Sequence, residues 1–253
     1  MPGEASDISF ATLNLNEDKM LKKMLVIAPV MAQPTDIKSI ARSLSFLEND
    51  YELCFVDPLT IMNNVDNDSY YQLWGEALKS GLSNYDAFMG FSFGGVILQQ
   101  CFSLFSQLNK PVILFSTPTF ADLPLAEKLG GVVNLCKQNR LETAIAKLYD
   151  DVYYPDNRPE QSFDIHDAAN AVNRLVFGLT RVLNTDSTRV VQESTVRHLH
   201  LIGEQSNLVN RDNVIAAPNG RLVAVPGAGM RVLEANFPYC KQLIMETLSG
   251  ETQ

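Results

Sequence analysis

A glycine-rich hexapeptide lies between two strongly apolar segments near the middle of the chain. It reads Gly90-Phe91-Ser92-Phe93-Gly94-Gly95 and follows a short apolar run at 85–90. The residues after it, 94–108, have the spacing of a helix. A strand that turns directly into a helix needs glycine at the bend, because a Cβ there would collide with nearby backbone. The sequence thus predicts a sharp strand–turn–helix unit with Ser92 at its tip.

The rest of the chain alternates between strand-like and helix-like segments. Further strands are predicted at 24–29, 51–56, 112–116, 196–202 and 222–225, and further helices at 35–47, 70–82 and 231–248. This alternation, with connections long enough for crossovers, predicts the α/β class with a mostly parallel, doubly wound sheet. We expect residues 1–20 to form an N-terminal arm, with an edge strand at 8–13 as the alternative. Residues 21–253 are expected to form one domain with a helical lid inserted at about 119–190.

Charge and composition exclude several classes of partner. The net charge of −9 argues against a nucleic acid or an anionic membrane as the main partner. The four cysteines are widely spaced, which predicts free thiols in a reducing, cytoplasmic environment. A secretory signal and an apolar run of about 20 residues that would span a membrane are not expected. No His-x-x-x-His, paired Cys/His spacing or glycine-rich phosphate loop is present, so we expect neither a metal nor a cofactor.

The hexapeptide also matches the nucleophile elbow, Gly-x-Ser-x-Gly, of serine acyl hydrolases. Together with the segments 28–33, 201–209 and 225–230, it makes the chain resemble the α/β-hydrolase family over residues 22–250. The resemblance implies the α/β-hydrolase fold and Ser92 as the nucleophile. It also implies an oxyanion hole formed by the backbone N–H groups of Phe93 and of Met31 or Val30.

The size and the acidic charge are similar to those of small thioesterases and esterases that act beside acyl-carrier proteins or coenzyme A. This likeness implies a small-molecule or carrier-bound acyl substrate and makes an acyl-carrier protein a candidate partner. Two positions depart from the family pattern, because family members commonly have the acid where Ser206 stands and the histidine where Met230 stands. A serine without a base is a weak nucleophile.

Other residues are candidates for the two missing roles. His166 lies in the predicted lid and is the candidate displaced base, with a polar surface helix as the alternative. Asp122 follows the strand at 112–116 and is the candidate displaced acid, whereas Asp212 is expected to cap a following helix. His198 and His200 stand near the start of a strand, on the order of 10 Å short of the loop that follows it, and are expected to be structural.

The pattern leaves three functions open. Met31, Phe91, Phe93 and Met230, with Val30 and Ser206, are expected to line an apolar pocket, although core packing is the alternative for the apolar ones. The first function is a serine acyl hydrolase of thioesterase or esterase type with an atypical or incomplete triad. The second is a non-hydrolytic enzyme, such as a cyclase or isomerase, that uses the oxyanion hole. The third is a catalytically inactive pseudo-hydrolase that binds an acyl ligand or a protein partner.

Overall fold

The residues that the structure describes form a six-stranded sheet at the centre of the fold. The structure is a computed structural model that describes residues 21–160 and 164–250. The strands are β1 (Lys22–Ile27), β2 (Tyr51–Val56), β3 (Ala87–Phe91), β4 (Val112–Phe115), β5 (His198–Gly203) and β6 (Gly220–Val225). Their order is β2-β1-β3-β4-β5-β6, and every neighbouring pair is parallel. The predicted α/β class and parallel sheet are confirmed. The proposed arm at 1–20 lies outside the described residues.

Helices cover both faces of the sheet. They are α1 (Ile37–Ser43), α2 (Asn67–Lys79), α3 (Phe93–Gln100), α4 (Phe102–Phe105), α5 (Leu123–Lys137), α6 (Leu141–Tyr153), α7 (Ala168–Leu183), α8 (Thr188–Gln192), α9 (Val232–Ala235) and α10 (Phe237–Ser249). In β1, Met24 and Val26 pack into the core on one face, whereas Leu25 and Ile27 pack into the core on the other. This alternation follows from the two-residue period of a strand and accounts for the continuous apolar run. No helix in residues 21–160 and 164–250 is both long and apolar enough to cross a membrane.

The order in which the chain adds strands to the sheet reverses between β1 and β3. The chain passes from β1 to β2 on one side and then returns as β3 on the other side of β1. At such a point the loops leave the two strands in opposite directions and open a crevice at their carboxyl ends, where open α/β sheets bind ligands. Ile27, the last residue of β1, pairs with Gly90 of β3. The loop after Ile27 and the turn at Ser92 therefore border this crevice.

Three predicted helices are interrupted in the structure. The segment 35–47 contains α1 flanked by short 3-10 turns at Pro34–Asp36 and Ser45–Leu47, and 94–108 divides into α3 and α4 at Cys101. The segment 231–248 divides into α9 and α10 at Asn236, and Pro238 stands in the first turn of α10. Proline has no N–H and clashes with the preceding turn, so it is accommodated at a helix start and not within a continuous helix.

The two histidines of β5 are buried in the core, where their rings lie within hydrogen-bond distance of backbone groups. His198 and His200 are buried, and the backbone N–H of Thr117 donates to Nε2 of His200 at 3.2 Å. The carbonyl of Val196 lies 3.0 Å from Nδ1 of His198. Burial, together with the neighbouring His198, lowers the pKa of His200 to about 3, and burial also lowers the pKa of His198. Both rings are consequently neutral at physiological pH.

These buried rings predict an acid-sensitive stability. The unfolded chain protonates His200 near pH 6.5, but the folded protein does not until about pH 3. The stabilisation is therefore complete above pH 6.5 and is lost as the pH falls, by about 1.4 kcal/mol per pH unit for one such imidazole. We expect the urea concentration at the unfolding midpoint to decrease as the pH falls from 6.5 to 5. His200→Gln should reduce this dependence of the midpoint on pH. A pH dependence of stability that is unchanged in His200→Gln would contradict the prediction.

Candidate functional site

Ser92 occupies a strained turn between β3 and α3. Its backbone has φ 48° and ψ −110°, a conformation that non-glycine residues rarely adopt. The N–H of Ser92 donates to the carbonyl of Phe115 in the neighbouring β4 at 2.9 Å, and the carbonyl of Ser92 accepts from the N–H of Val96 at 3.0 Å. These bonds hold the turn between strand and helix. The hydroxyl has no hydrogen-bond partner among the described residues.

Three backbone N–H groups near this turn are available to a ligand. Phe93 is the first residue of α3, so the helix itself does not use its N–H. Neither Val30 nor Met31, in the loop after β1, donates its N–H to another described residue. The start of a helix also favours negative charge. The arrangement therefore has the donors that a developing oxyanion at Ser92 requires.

A buried ion pair fixes the loop that carries two of these donors. Arg174 of α7 is 3% exposed and donates from Nε to the carbonyl of Met31 at 3.0 Å. Its Nη1 and Nη2 donate to the two carboxylate oxygens of Asp57 at 2.9 and 3.1 Å. One turn further along α7, a Cβ on Gly178 would lie 2.7 Å from Cγ2 of Val30. Helix α7 thus packs directly against the loop after β1.

Sequence reasoning missed Arg174 and Asp57. The available signal was a pair of arginines, Arg174 and Arg181, spaced seven residues apart and therefore on one face of a helix. Both are buried. An arginine on the apolar face of a helix requires a buried acceptor, because an unpaired charge there is costly. The identity of that acceptor depends on contacts between residues more than 100 positions apart.

The loop after β6 brings Met230 to the site. Ser116 Oγ donates to the carbonyl of Met230 at 2.7 Å. A Cβ on Gly229 would lie 1.6 Å from the carbonyl oxygen of Tyr154, so this loop packs closely on the chain that follows α6. The Met230 side chain is partly buried and lines the same cavity as Ser92. A thioether transfers no proton, so this residue cannot serve as a base.

Ser206 stabilises a turn after β5. Its hydroxyl is buried and accepts from the N–H groups of Leu208 and Val209 at 3.4 and 3.2 Å. Ser206 is not among the described residues that line the cavity, but Leu208 and Val209 are. The predicted place of Ser206 in the pocket wall is therefore taken by the two apolar residues that its hydroxyl positions.

The candidate base His166 lies at the exposed rim of the cavity. Its side chain is 72% exposed, and its Nδ1 is 3.8 Å from a carboxylate oxygen of Asp164. The side chain of Gln33, from the loop after β1, accepts from the N–H of His166 at 3.0 Å and donates to the carbonyl of Asp164 at 2.8 Å. This pair of hydrogen bonds fastens the segment before α7 to the loop after β1.

The two candidate aspartates are placed differently. Asp122 is the N-cap of α5: its Oδ1 accepts from the N–H of Leu125 and from the amide of Asn213, each at 3.1 Å. It is not among the described residues that line the cavity. Asp212 does not cap a helix, because residues 204–219 form turns without a helix. Its N–H donates to the side chain of Asn210 at 2.9 Å, which closes one such turn.

The cavity above Ser92 has a volume of about 660 Å³. Phe91 and Phe115, whose rings stack with centroids 4.3 Å apart, line it beside Ser92, and Val30 and Met31 line it from the loop after β1. Phe93 is not part of the wall in the described residues. Its ring is fully buried and stacks on Tyr70.

Neither metal ligands nor reactive thiols accompany the site in the described part of the chain. Residues 21–160 and 164–250 contain no group of three or more His, Cys, Asp or Glu that could hold a metal ion. The four cysteines are free, and three of them are buried. Burial raises the pKa of Cys101 and Cys240 to about 12, so these thiols stay protonated and unreactive.

Comparison of the sequence with protein-family models gives no match, and neither does comparison with curated proteins. The fold, in contrast, matches many solved structures. An α/β-hydrolase enzyme from a Medee basin deep-sea metagenome library has 13% identity and a TM-score of 0.69, over 96% of this chain and 93% of the other. A bromoperoxidase from Bacillus anthracis has 13% identity and a TM-score of 0.66, over 91% of this chain and 92% of the other.

An esterase from Exiguobacterium antarcticum is also similar, with 12% identity and a TM-score of 0.64 over 89% of this chain and 91% of the other. All three alignments extend over most of both chains. At this level of identity the likeness is one of architecture. The chain has the α/β-hydrolase fold.

Proposed function

We propose that this protein is a serine acyl hydrolase that cleaves an acyl ester or thioester, with Ser92 as the nucleophile. The observation that carries the proposal is the strained backbone of Ser92 at the wall of a large cavity, beside the N–H groups of Phe93, Val30 and Met31. Strain of this kind persists only where the surrounding structure enforces it, and it clusters at functional sites. Esterases among the structures of similar fold support the same chemistry.

The reaction would proceed through an acyl-enzyme. Ser92 Oγ attacks the carbonyl carbon, and its proton passes to a base and then to the departing alcohol or thiol. The backbone N–H groups hold the oxyanion that forms. Water then adds to the acyl-enzyme and releases the acid, which returns the hydroxyl of Ser92. Each step needs a group that accepts and returns one proton.

We assign this role to His166, with Asp164 as its neighbour. Both residues line the cavity, and Gln33 ties their segment to the loop that carries Val30 and Met31. Because the imidazole is 72% exposed, the assignment requires the segment to close over Ser92 when substrate binds. Catalytic hydrogen bonds often tighten only in the complex with substrate.

Intact-mass spectrometry after incubation with a serine-directed phosphonate or a short acyl thioester tests this function. We expect an adduct on the native protein and on Ser39→Ala, which removes another serine of the cavity wall, but not on Ser92→Ala. His166→Gln should slow adduct formation by about 10²-fold or more, the usual contribution of a general base.

The absence of an adduct with both reagents would contradict the hydrolase proposal. It would favour the second candidate, a protein that binds an acyl ligand without cleaving it. Two observations support that candidate: the thioether of Met230 lines the cavity, and the hydroxyl of Ser206 is committed to a turn. Thermal stabilisation of Ser92→Ala by fatty acids would then identify the ligand.

A further inference from the structure

The rim of the cavity differs in charge from the rest of the protein. The chain as a whole has 29 acidic and 20 basic residues. The described wall of the cavity reverses this excess, with four basic and three acidic residues: Lys38, Arg42, Arg158 and Arg231 against Asp36, Asp164 and Glu234. Two of these basic side chains are in ion pairs, Arg158 with Asp150 at 2.6 Å and Arg231 with Glu234 at 3.2 Å, which leaves Lys38 and Arg42 as the remaining cations.

The negative charges at the rim are engaged by neighbouring groups. Glu234 accepts from Ser43 Oγ at 2.8 Å and from Nη2 of Arg231 at 3.2 Å. Asp36 accepts from the N–H of Gln33, and burial raises the pKa of its carboxyl group. Asp164 faces His166 at 3.8 Å. None of these carboxylates pairs with Lys38 or Arg42.

Lys38 and Arg42 therefore present uncompensated positive charge. They stand one turn apart on α1, so they share a helix face, and both are exposed and line the cavity. Nε of Arg42 donates to the carbonyl of Lys38 at 3.4 Å, which holds the guanidinium along the helix. Among the described residues neither side chain forms an ion pair. A lysine next to an arginine is a favourable arrangement for a phosphate or carboxylate group.

The interior of the cavity is apolar, in contrast to its charged rim. Its buried wall from the helices between β4 and β5 is entirely aliphatic: Leu125, Leu129, Ile145, Leu148, Leu179 and Val182, each 8% exposed or less. Removing the apolar surface of a ligand from water there favours binding. A volume of about 660 Å³ lies within the range of small-molecule sites. One compartment therefore joins an aliphatic interior to a cationic rim.

We propose that the ligand of this cavity is an acyl chain with an anionic head group. The aliphatic wall takes the chain, and Lys38 and Arg42 take the phosphate or carboxylate at the rim. As a statement about the substrate, this inference rests on the proposed hydrolase function. As a statement about binding, it does not require any reaction at Ser92.

Calorimetric titration of the Ser92→Ala protein at low ionic strength measures binding alone, independently of any reaction at Ser92. Octyl phosphate and octanoate test the two kinds of anionic head, and octanol tests the chain alone. We expect at least one anion to bind more tightly than octanol, with an affinity that falls as salt is added. The double variant Lys38→Gln/Arg42→Gln should lower the affinity for that anion by about tenfold, the scale expected for two exposed charge contacts. Its affinity for octanol should stay within about twofold of the parent value.

Lys79→Gln/Lys137→Gln is the matched control, because it removes two lysines from the last turns of α2 and α5, away from the cavity. It should bind all three ligands as the parent protein does. The inference is wrong if octanol binds as tightly as both anions, if the control weakens binding equally, or if none of the ligands binds. A preference between octyl phosphate and octanoate identifies the head group. Because Ser92 is absent, failure of this test is distinct from failure of the hydrolase proposal.

Discussion

Arg174→Met is expected to lower the free energy of unfolding by about 3–5 kcal/mol, the usual cost of breaking a buried ion pair on one side. The side chains of Arg174 and Asp57 are only 4% and 12% exposed. Methionine retains much of the length of arginine but donates no hydrogen bond. It leaves the carboxylate of Asp57 without its cation and the carbonyl of Met31 without its donor. Urea unfolding followed by circular dichroism measures the loss.

Arg189→Met provides the comparison. Arg189 pairs with Glu193 on the surface, where the side chains are 86% and 65% exposed, so its removal should cost less than about 1 kcal/mol. Arg174→Met with Asp57→Leu should recover much of the loss, since both buried charges are then absent. Equal losses in Arg174→Met and Arg189→Met would show that the buried pair does not stabilise the fold. Slower phosphonate labelling in Arg174→Met, under conditions where the protein remains folded, would show that the pair also positions the loop after β1.

Gly94→Ala is expected to destabilise the protein by about 3 kcal/mol or more, at the upper end of overpacking effects. A Cβ at this position would lie 2.2 Å from the carbonyl oxygen of Ile27 and 2.7 Å from that of Ala28. Both are backbone atoms at the end of β1, so no side-chain rotation relieves the contact. Helix α3 would have to move away from β1, and the turn at Ser92 would move with it. The unfolding midpoint in urea reports the change.

Gly130→Ala is the matched control, because it makes the same substitution within another helix, α5. A Cβ on Gly130 would meet nothing within 4 Å. The greater helix propensity of alanine should then stabilise the protein by up to about 1 kcal/mol. The two variants should thus differ in sign. A Gly94→Ala protein as stable as the parent would contradict the close packing of α3 on β1.

The architecture was predictable because its signals are local. The sequence predicts a strand at 51–56, and the structure has a strand at Tyr51–Val56. The glycines around Ser92 indicated the sharp turn, and Ser92 has the strained conformation that such a turn imposes. The break in the predicted helix at 231–248 also had a local signal, because Pro238 fits the first turn of a helix and not its interior, but the apolar spacing continues across Asn236 and gave the opposite indication.

The side chains around Ser92 were predictable only in part. Met230 follows β6 and lines the cavity, because a loop at the carboxyl end of a parallel strand must lie at that edge of the sheet. Ser206 follows β5 in the same way, but its hydroxyl accepts from backbone N–H groups and leaves the wall to Leu208 and Val209. Strand order fixes where a loop lies, whereas local hydrogen bonding decides which side chain the loop presents.

The sequence by itself determined the parallel α/β architecture, the turn at Ser92 and the absence of a histidine from the loop after β6. Each of these depends on periodicity or on residue identity along a short stretch of chain. The tertiary structure alone decided that Arg174 joins Asp57 to the loop after β1, that Gln33 holds the segment of His166, and that Lys38 and Arg42 lie at the rim of the cavity. These contacts join residues far apart in the chain, and their geometry depends on how α1 and α7 pack against the sheet, which no local pattern encodes.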